Sequence, residues 1–147
     1  MGGNIATIVG MILMIATFDY ETAKCFVRDT LGCQCPDSAF DRIDYQENAD
    51  ILGKDAIVKR LLVGNRLLIY VLELDGGKSL PALLPILVRN AKSERDRLGY
   101  NRLRVVIAAE NADMIRPAAE GLFAEIEDID AKVHLHVLGK GGMGIFY

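Results

Sequence analysis

Two cysteines one residue apart are the most unusual chemical feature of the chain. Cys33 and Cys35 follow Gly32 and precede Pro36, so they lie where one helix is expected to stop and another to start. A thiolate on Cys35 would sit at a helix N-terminus, where unpaired amides and the helix dipole lower the thiol pKa, although Asp37 opposes that effect. The pattern indicates thiol redox chemistry or, as the plainer interpretation, two small side chains packed in an interhelical turn.

Metal ligation is the other chemistry that these thiols support. Structural zinc and iron–sulfur sites need about four ligands, and Cys25, Cys33 and Cys35 supply only three. His134 and His136 could add to them, because alternate strand residues point to the same face, but they are more typical of the polar face of an exposed sheet edge. A metal shared between two chains is the remaining arrangement, and a homodimer is therefore one predicted assembly.

Three polar segments follow the carboxyl ends of predicted strands, which is where open α/β sheets bind ligands when the strands are parallel. The candidate ligand-binding residues in these segments are Gly76, Gly77, Lys78, Ser79, Asn111 and Lys140. Their lysines, hydroxyl and glycine amides could hold an anion such as phosphate. The first segment is not a Walker A motif, because Leu72 stands where its first glycine should be, and a glycine turn followed by a Ser79 cap is the plainer interpretation. The set indicates no reaction, so catalytic residues, cofactor and ligand stay unassigned.

These segments depend on a sheet whose strands alternate with helices. Strands are predicted at Ile57–Val63, Arg66–Glu73, Leu103–Ala109 and Val133–Leu138, with helices over Ser79–Leu98 and along the stripe from Met114 to Ile126. The first two strands form an antiparallel hairpin, and the alternation after it implies parallel neighbours joined by right-handed crossovers. The predicted fold is an α/β mixed sheet in which an antiparallel hairpin is followed by βαβαβ, preceded by an α-helical N-terminal segment.

The hairpin prediction specifies both a register and an order of strands. Gly64-Asn65 is a typical two-residue turn because both residues tolerate positive φ, and such a loop places Arg60 opposite Ile69. Charges on both faces of the first strand predict that it lies at the sheet edge, whereas the continuously apolar second strand is predicted to be interior.

A helical layer over residues 1–45 is predicted to precede the sheet and helices of residues 55–138, within one α/β domain of 147 residues. Asp19 caps the first helix and Gly32 ends it, while Pro36 begins a second short helix that ends before Tyr45. The apolar run Ile5–Ile15 is too short for a membrane-spanning helix, has no basic residue before it, and is predicted to pack against the domain or a second copy.

Composition narrows the class of protein. The net charge is −3 and no basic stripe is present, so neither nucleic acid nor a membrane is expected as a partner. Three cysteines within one short segment do not form a secreted disulfide framework, and a reducing cytoplasm is predicted.

The segment Phe26 to Phe40 resembles small prokaryotic proteins in which a helix ends in Leu-Gly-Cys-x-Cys-Pro and a second begins with an acidic residue and a Phe. The match covers about a tenth of the chain. The resemblance implies a bacterial or archaeal cytoplasmic protein and carries no activity or functional residue with it.

Three functions follow as hypotheses. The leading one is a cytoplasmic accessory domain with a thiol redox or metal-binding role at the Cys33/Cys35 turn. The alternatives are a small-anion or phosphate-ligand binding protein or enzyme at the carboxyl edge of the sheet, and a protein interaction module.

Overall fold

The computed structural model describes residues 20–32, 37–46, 57–74 and 79–139, which fall into two compact units, 20–32 and 37–139. In the first unit, helix α1 (Tyr20–Cys25) continues as a π-helical segment over Phe26–Thr30. The amide of Leu31 donates to the carbonyl of Phe26, and Gly32 follows with a φ of 70°. Ala23, Phe26, Val27 and Leu31 are buried. The predicted helix and its glycine stop are therefore confirmed, with a wider last turn that keeps Phe26 and Leu31 on one face.

The described part of the second unit contains a five-stranded sheet with strand order β1-β2-β3-β4-β5. The strands are β1 (Ile43–Gln46), β2 (Ile57–Val63), β3 (Leu67–Leu74), β4 (Arg102–Ala109) and β5 (Val133–Gly139). The first two pairings are antiparallel and the last two are parallel. Helices α2 (Leu80–Leu98) and α3 (Ala112–Ala124) make the two crossovers. The predicted hairpin followed by βαβαβ is thus confirmed, with one more strand.

That additional strand corrects two predictions. Residues 37–41 form a 3₁₀-helix, but residues 43–46 then enter the sheet as β1 instead of belonging to a helical layer that extends to residue 45. Because β1 pairs with β2, the strand Ile57–Val63 is interior and not the sheet edge. An interior strand tolerates the charges of Lys59 and Arg60 because each side chain forms an ion pair, with Glu73 and Glu94 respectively.

The hairpin register also differs from the prediction. Gly64 and Asn65 do adopt positive φ, at 58° and 57°, and the amide of Arg66 closes the turn on the carbonyl of Val63. However, Val63 pairs with Leu67, which leaves Arg66 as a third loop residue. Every pairing shifts by one, so that Arg60 faces Tyr70 instead of Ile69.

Both helices pack on the same face of the sheet, as expected for two right-handed crossovers made in the same direction. The shared core joins alternate residues of the parallel strands to one stripe of each helix. It includes Leu68, Tyr70, Leu72, Leu103, Val105, Ile107, Leu84, Leu87, Val88, Ile115 and Ala119. The opposite face is buried as well at Leu67, Ile69 and Val71, so β3 is the fully buried strand that its apolar run predicted.

Two glycines in helical elements are expected to respond oppositely to alanine. Gly99 ends α2 with a φ of 75°, whereas Gly121 lies inside α3, and an added Cβ would meet no atom within 4 Å at either position. Gly99→Ala is expected to lower the free energy of unfolding by about 1 kcal/mol through backbone strain alone. Gly121→Ala should raise it by about 0.5 to 1 kcal/mol because alanine has the higher helix propensity. Urea denaturation of both variants checks this, and shifts of the same sign would contradict the assigned helix ends.

Candidate functional site

The carboxyl ends of the three parallel strands lie in one row. Leu74 of β3 pairs with Ala109 of β4, which pairs with Gly139 of β5. Directly beyond this row is an open pocket of ≈ 420 Å³. Its lining comes from the β4–α3 connection, the first turns of α3 and the end of β5, namely Glu110, Asn111, Ala112, Asp113, Met114, Arg116 and Gly139. The predicted meeting of strand ends at one edge is therefore confirmed for β4 and β5.

Asn111 occupies the N-cap position of α3 at this pocket. Its backbone carbonyl accepts hydrogen bonds from the amides of Met114 and Ile115, at 3.0 and 3.2 Å. An asparagine here usually turns its side chain onto an amide of the first turn, but the Asn111 side chain makes no capping hydrogen bond. The exposed carboxamide therefore remains available to a ligand, beside the positive end of the helix dipole.

Arg116 is a second polar side chain that lines the pocket. Its Nη1 donates to Oδ1 of Asp113 at 2.6 Å, and its Nη2 donates to the carbonyl of Val137 in β5 at 2.8 Å. The second bond ties α3 to the edge strand, so the guanidinium is fixed between the two elements. Since Asp113 is 95% exposed, the ion pair is open to solvent and to an incoming ligand.

The electrostatics of the pocket are mixed. Glu110 and Asp113 bring negative charge, Arg116 brings one positive charge, and the first turn of α3 presents backbone amides. Met114, 79% exposed, adds an apolar surface. Because these side chains are net negative, the pocket does not suit a highly charged anion such as a polyphosphate, and a small molecule with one anionic group would have to place that group on the backbone amides of α3.

The predicted ligand-binding residues divide into three groups. Asn111 lines the pocket, and so does Gly139, which precedes Lys140. Ser79 is the exposed N-cap of α2, but its side chain makes no capping hydrogen bond and it does not line this pocket. The remaining four, Gly76, Gly77, Lys78 and Lys140, lie outside the described residues.

Asp113, Met114 and Arg116 line the pocket but were not predicted from the sequence. The three-residue spacing of Asp113 and Arg116 is a recognisable helical ion pair. What it does not reveal is that α3 lies close enough to β5 for Arg116 to reach the Val137 carbonyl. That contact depends on tertiary packing.

Of the three cysteines proposed for redox or metal chemistry, one lies within the described residues. Cys25, the last residue of α1, is exposed and free, whereas Cys33 and Cys35 lie outside the described residues. Over residues 20–32, 37–46, 57–74 and 79–139, no three His, Cys, Asp or Glu side chains are grouped so that they could hold a metal ion. The thiol redox or metal role of the Cys33/Cys35 turn stays a prediction.

Native alkylation tests that prediction. N-ethylmaleimide is expected to modify Cys25 in the folded protein because the side chain is exposed. In Cys25→Ser, mass spectrometry should still detect at least one modified thiol if Cys33 or Cys35 is reachable. If this variant stays unmodified under native conditions and the untreated protein contains no metal by elemental analysis, the functional hypothesis for the pair is wrong.

The two histidines of β5 point to the face opposite the helices. His134 pairs with Arg104 and His136 with Val106 in the sheet, and Nε2 of His136 lies 2.8 Å from Nη1 of Arg104. Arginine can only donate, so Nε2 accepts and the ring proton is on Nδ1. Burial, followed by the charges of Arg104 and His134, lowers the pKa of His136 to about 4. Burial and the charges of Arg104 and Arg102 lower the pKa of His134 as well.

Acidification should therefore destabilise the fold before the carboxylates titrate. The unfolded chain takes up a proton at His136 near its ordinary pKa of 6.5, whereas the folded chain resists protonation down to about pH 4. Stability from this group is complete above pH 6.5 and is lost as the pH falls towards 4. Between pH 7 and pH 5 in phosphate-free buffer we expect a loss of about 1 kcal/mol, after allowing for solvent screening. The loss should be smaller in His136→Gln, and an equal loss in both proteins would contradict the assignment.

None of the helices in the described ranges combines the length and the apolar composition that a membrane-spanning segment needs. Comparison of the chain with family models, curated proteins and solved structures gave no match.

Proposed function

We propose that this chain is a cytoplasmic small-molecule binding domain whose ligand carries one anionic group and lies at the carboxyl edge of the sheet, against the first turn of α3. The observation that carries the proposal is the side chain of Asn111, which stands at a helix N-cap and leaves its carboxamide unused for capping. The pocket between this residue and Gly139 has the position at which open α/β sheets bind ligands.

The backbone amides at the start of α3, and not the side-chain charges, favour one orientation of that ligand. The anionic group would accept from the amides at the start of α3 and from the Asn111 side chain. Arg116 is already engaged by Asp113 and Val137, so it would contribute a positive field more than a new ion pair. The body of the ligand would extend over Met114, whose side chain is exposed.

Gly139 gives the sharpest test, because a Cβ added there would meet no atom within 4 Å. Gly139→Val should therefore place a branched side chain at the edge of the pocket and obstruct the ligand without disturbing the strand that holds it. Asn111→Ala removes the side-chain donor but leaves the pocket open. Glu120→Gln is the matched control, since Glu120 is exposed on α3 and does not line the pocket.

Saturation-transfer NMR measures how strongly each variant binds glycerol 3-phosphate. Competition by inorganic phosphate shows whether the phosphate group is what the site recognises. Wild type and Glu120→Gln should give the same signal, Asn111→Ala should weaken binding at least about fivefold, as expected for a lost hydrogen bond to a charged group, and Gly139→Val should abolish binding. If Gly139→Val binds as well as wild type, the pocket is not the site.

A further inference from the structure

Arg104 is a buried cation for which the described residues provide no carboxylate partner. The residue is 8% exposed, and its hydrogen bond to Nε2 of His136 is to a neutral ring that carries no negative charge. Its Nε is buried and has no hydrogen-bond partner. Arginine keeps its proton at any ordinary pH, so the group cannot escape the cost of burial by becoming neutral.

The other buried cations show how unusual this is. Three charged side chains are buried among the described residues, namely Lys59, Arg95 and Arg104. Lys59 pairs with Glu73 at 2.7 Å, and Arg95 forms a two-point ion pair with Asp130. Only for Arg104 does no carboxylate within these residues form an ion pair.

Within the described ranges, the groups around Arg104 are hydrogen-bond donors and positive charges, and none of them is a carboxylate. His136 presents its Nδ1–H, and His134 lies two residues earlier on the same face of the edge strand. Arg102, two residues before Arg104 on β4, is exposed and lowers the pKa of Arg104 by its charge, in addition to the larger effect of burial. Burial is the main cause of the lowered pKa of both histidines, and the charge of Arg104 lowers both of them further.

We propose that Arg104, His134 and His136 form a binding site for an oxyanion, a carboxylate or phosphate group, on the sheet face opposite α2 and α3. A guanidinium matches both groups by donating two parallel hydrogen bonds, and the histidines would supply the remaining donors. This site is separate from the pocket of the proposed function. Arg104 precedes the carboxyl end of β4 by roughly 16 Å along the extended strand. Its side chain points to the sheet face opposite α2 and α3.

Thermal melting in matched salts tests the proposal. Potassium phosphate and potassium acetate, at about 20 mM, are compared with potassium chloride at equal ionic strength. Each oxyanion that fits should raise the melting temperature of wild type by about 3 °C or more over chloride, since a ligand that binds only the folded state stabilises it. A response to phosphate alone, to acetate alone or to both identifies the group that the site takes.

Variants assign the response to the site. Arg104→Met should melt at the same or a higher temperature than wild type in chloride, because the uncompensated charge is gone, and should lose the oxyanion response. Arg89→Gln removes an exposed charge from α2 and should show the same oxyanion response as wild type. His136→Gln should reduce the rise in melting temperature that the oxyanion causes. If Arg104→Met does not fold, His136→Gln is the variant that decides the test. The proposal is wrong if neither oxyanion exceeds chloride, or if Arg104→Met responds like wild type. A response that survives Gly139→Val but is lost in Arg104→Met belongs to this site and not to the carboxyl-edge pocket.

Discussion

Lys59→Met is expected to lower the free energy of unfolding by about 3 to 5 kcal/mol, the largest effect that we predict for one substitution. The ammonium of Lys59 and the carboxylate of Glu73 lie 2.7 Å apart, and their side chains are 6% and 13% exposed. Methionine fills similar space but leaves the carboxylate nearly buried beside an apolar side chain, where it has lost most of its hydration. The cost is therefore mainly that of the remaining Glu73 charge.

A double variant separates that cost from lost packing. Lys59→Met with Glu73→Leu removes both charges and should recover most of the stability, because apolar replacements for a buried ion pair are often neutral. Lys92→Met is the matched surface control, since Lys92 and Asp96 form an ion pair that is 26% and 49% exposed, and it should cost less than about 1 kcal/mol. Urea denaturation measures all three. If Lys59→Met costs no more than Lys92→Met, the pair is not buried as described.

The second large effect is expected at Glu94. Its Oε1 accepts from Arg60 at 2.5 Å and from the hydroxyl of Tyr70, and its Oε2 accepts from Arg97 at 3.0 Å. Burial alone would raise the pKa of Glu94, but the bonds from Tyr70 and Arg60 hold it below its ordinary value. Burial and the bond to Glu94 also raise the pKa of Tyr70, so its hydroxyl stays protonated and remains a donor. The carboxylate therefore ties α2 to β2 and β3.

Glu94→Leu should lower the free energy of unfolding by about 2 to 3 kcal/mol, because it leaves the Tyr70 hydroxyl and the Arg60 guanidinium without their acceptor. A double-mutant cycle checks the assignment. Tyr70→Phe should destabilise wild type, but should cost less or be neutral in the Glu94→Leu background, where the hydroxyl has already lost its acceptor. Strictly additive effects would contradict the shared bond.

Much of the fold follows from local patterns. The continuous apolar run of β3 predicts an interior strand because both faces must be buried, and Gly99 and the alternating strand and helix patterns predict the parallel crossovers. The helix end at Gly32 was predictable for the same reason as that at Gly99, since both glycines adopt a positive φ.

The errors arose where a contact distant in sequence decides the structure. Gly64 and Asn65 form the predicted turn, but the carbonyl of Arg66 accepts the amides of Asn101 and Arg102 at the entry to β4, which keeps Arg66 out of the hairpin ladder. The strand β1 has only four residues and follows helix-start residues, so its alternating pattern is too short to stand out without β2 beside it.

The residues of the candidate site also differ in whether the sequence could predict them. Asn111 and the end of β5 were predictable, because strand ends can be located from sequence and parallel strands bring them to one edge. Arg116 was not, because its role depends on the approach of α3 to Val137. The environment of Arg104 was not predictable either, since only the three-dimensional structure shows that no carboxylate among the described residues pairs with it.

The most direct test of the central claim is an amide chemical-shift map of ¹⁵N-labelled protein titrated with glycerol 3-phosphate. If the ligand lies at the start of α3, the amides of Ala112, Asp113 and Gly139 should show the largest saturable shifts, and these shifts should disappear in Gly139→Val. If the three amides do not move while others do, or if no amide shifts at millimolar ligand, the carboxyl edge of the sheet is not where this protein binds its ligand.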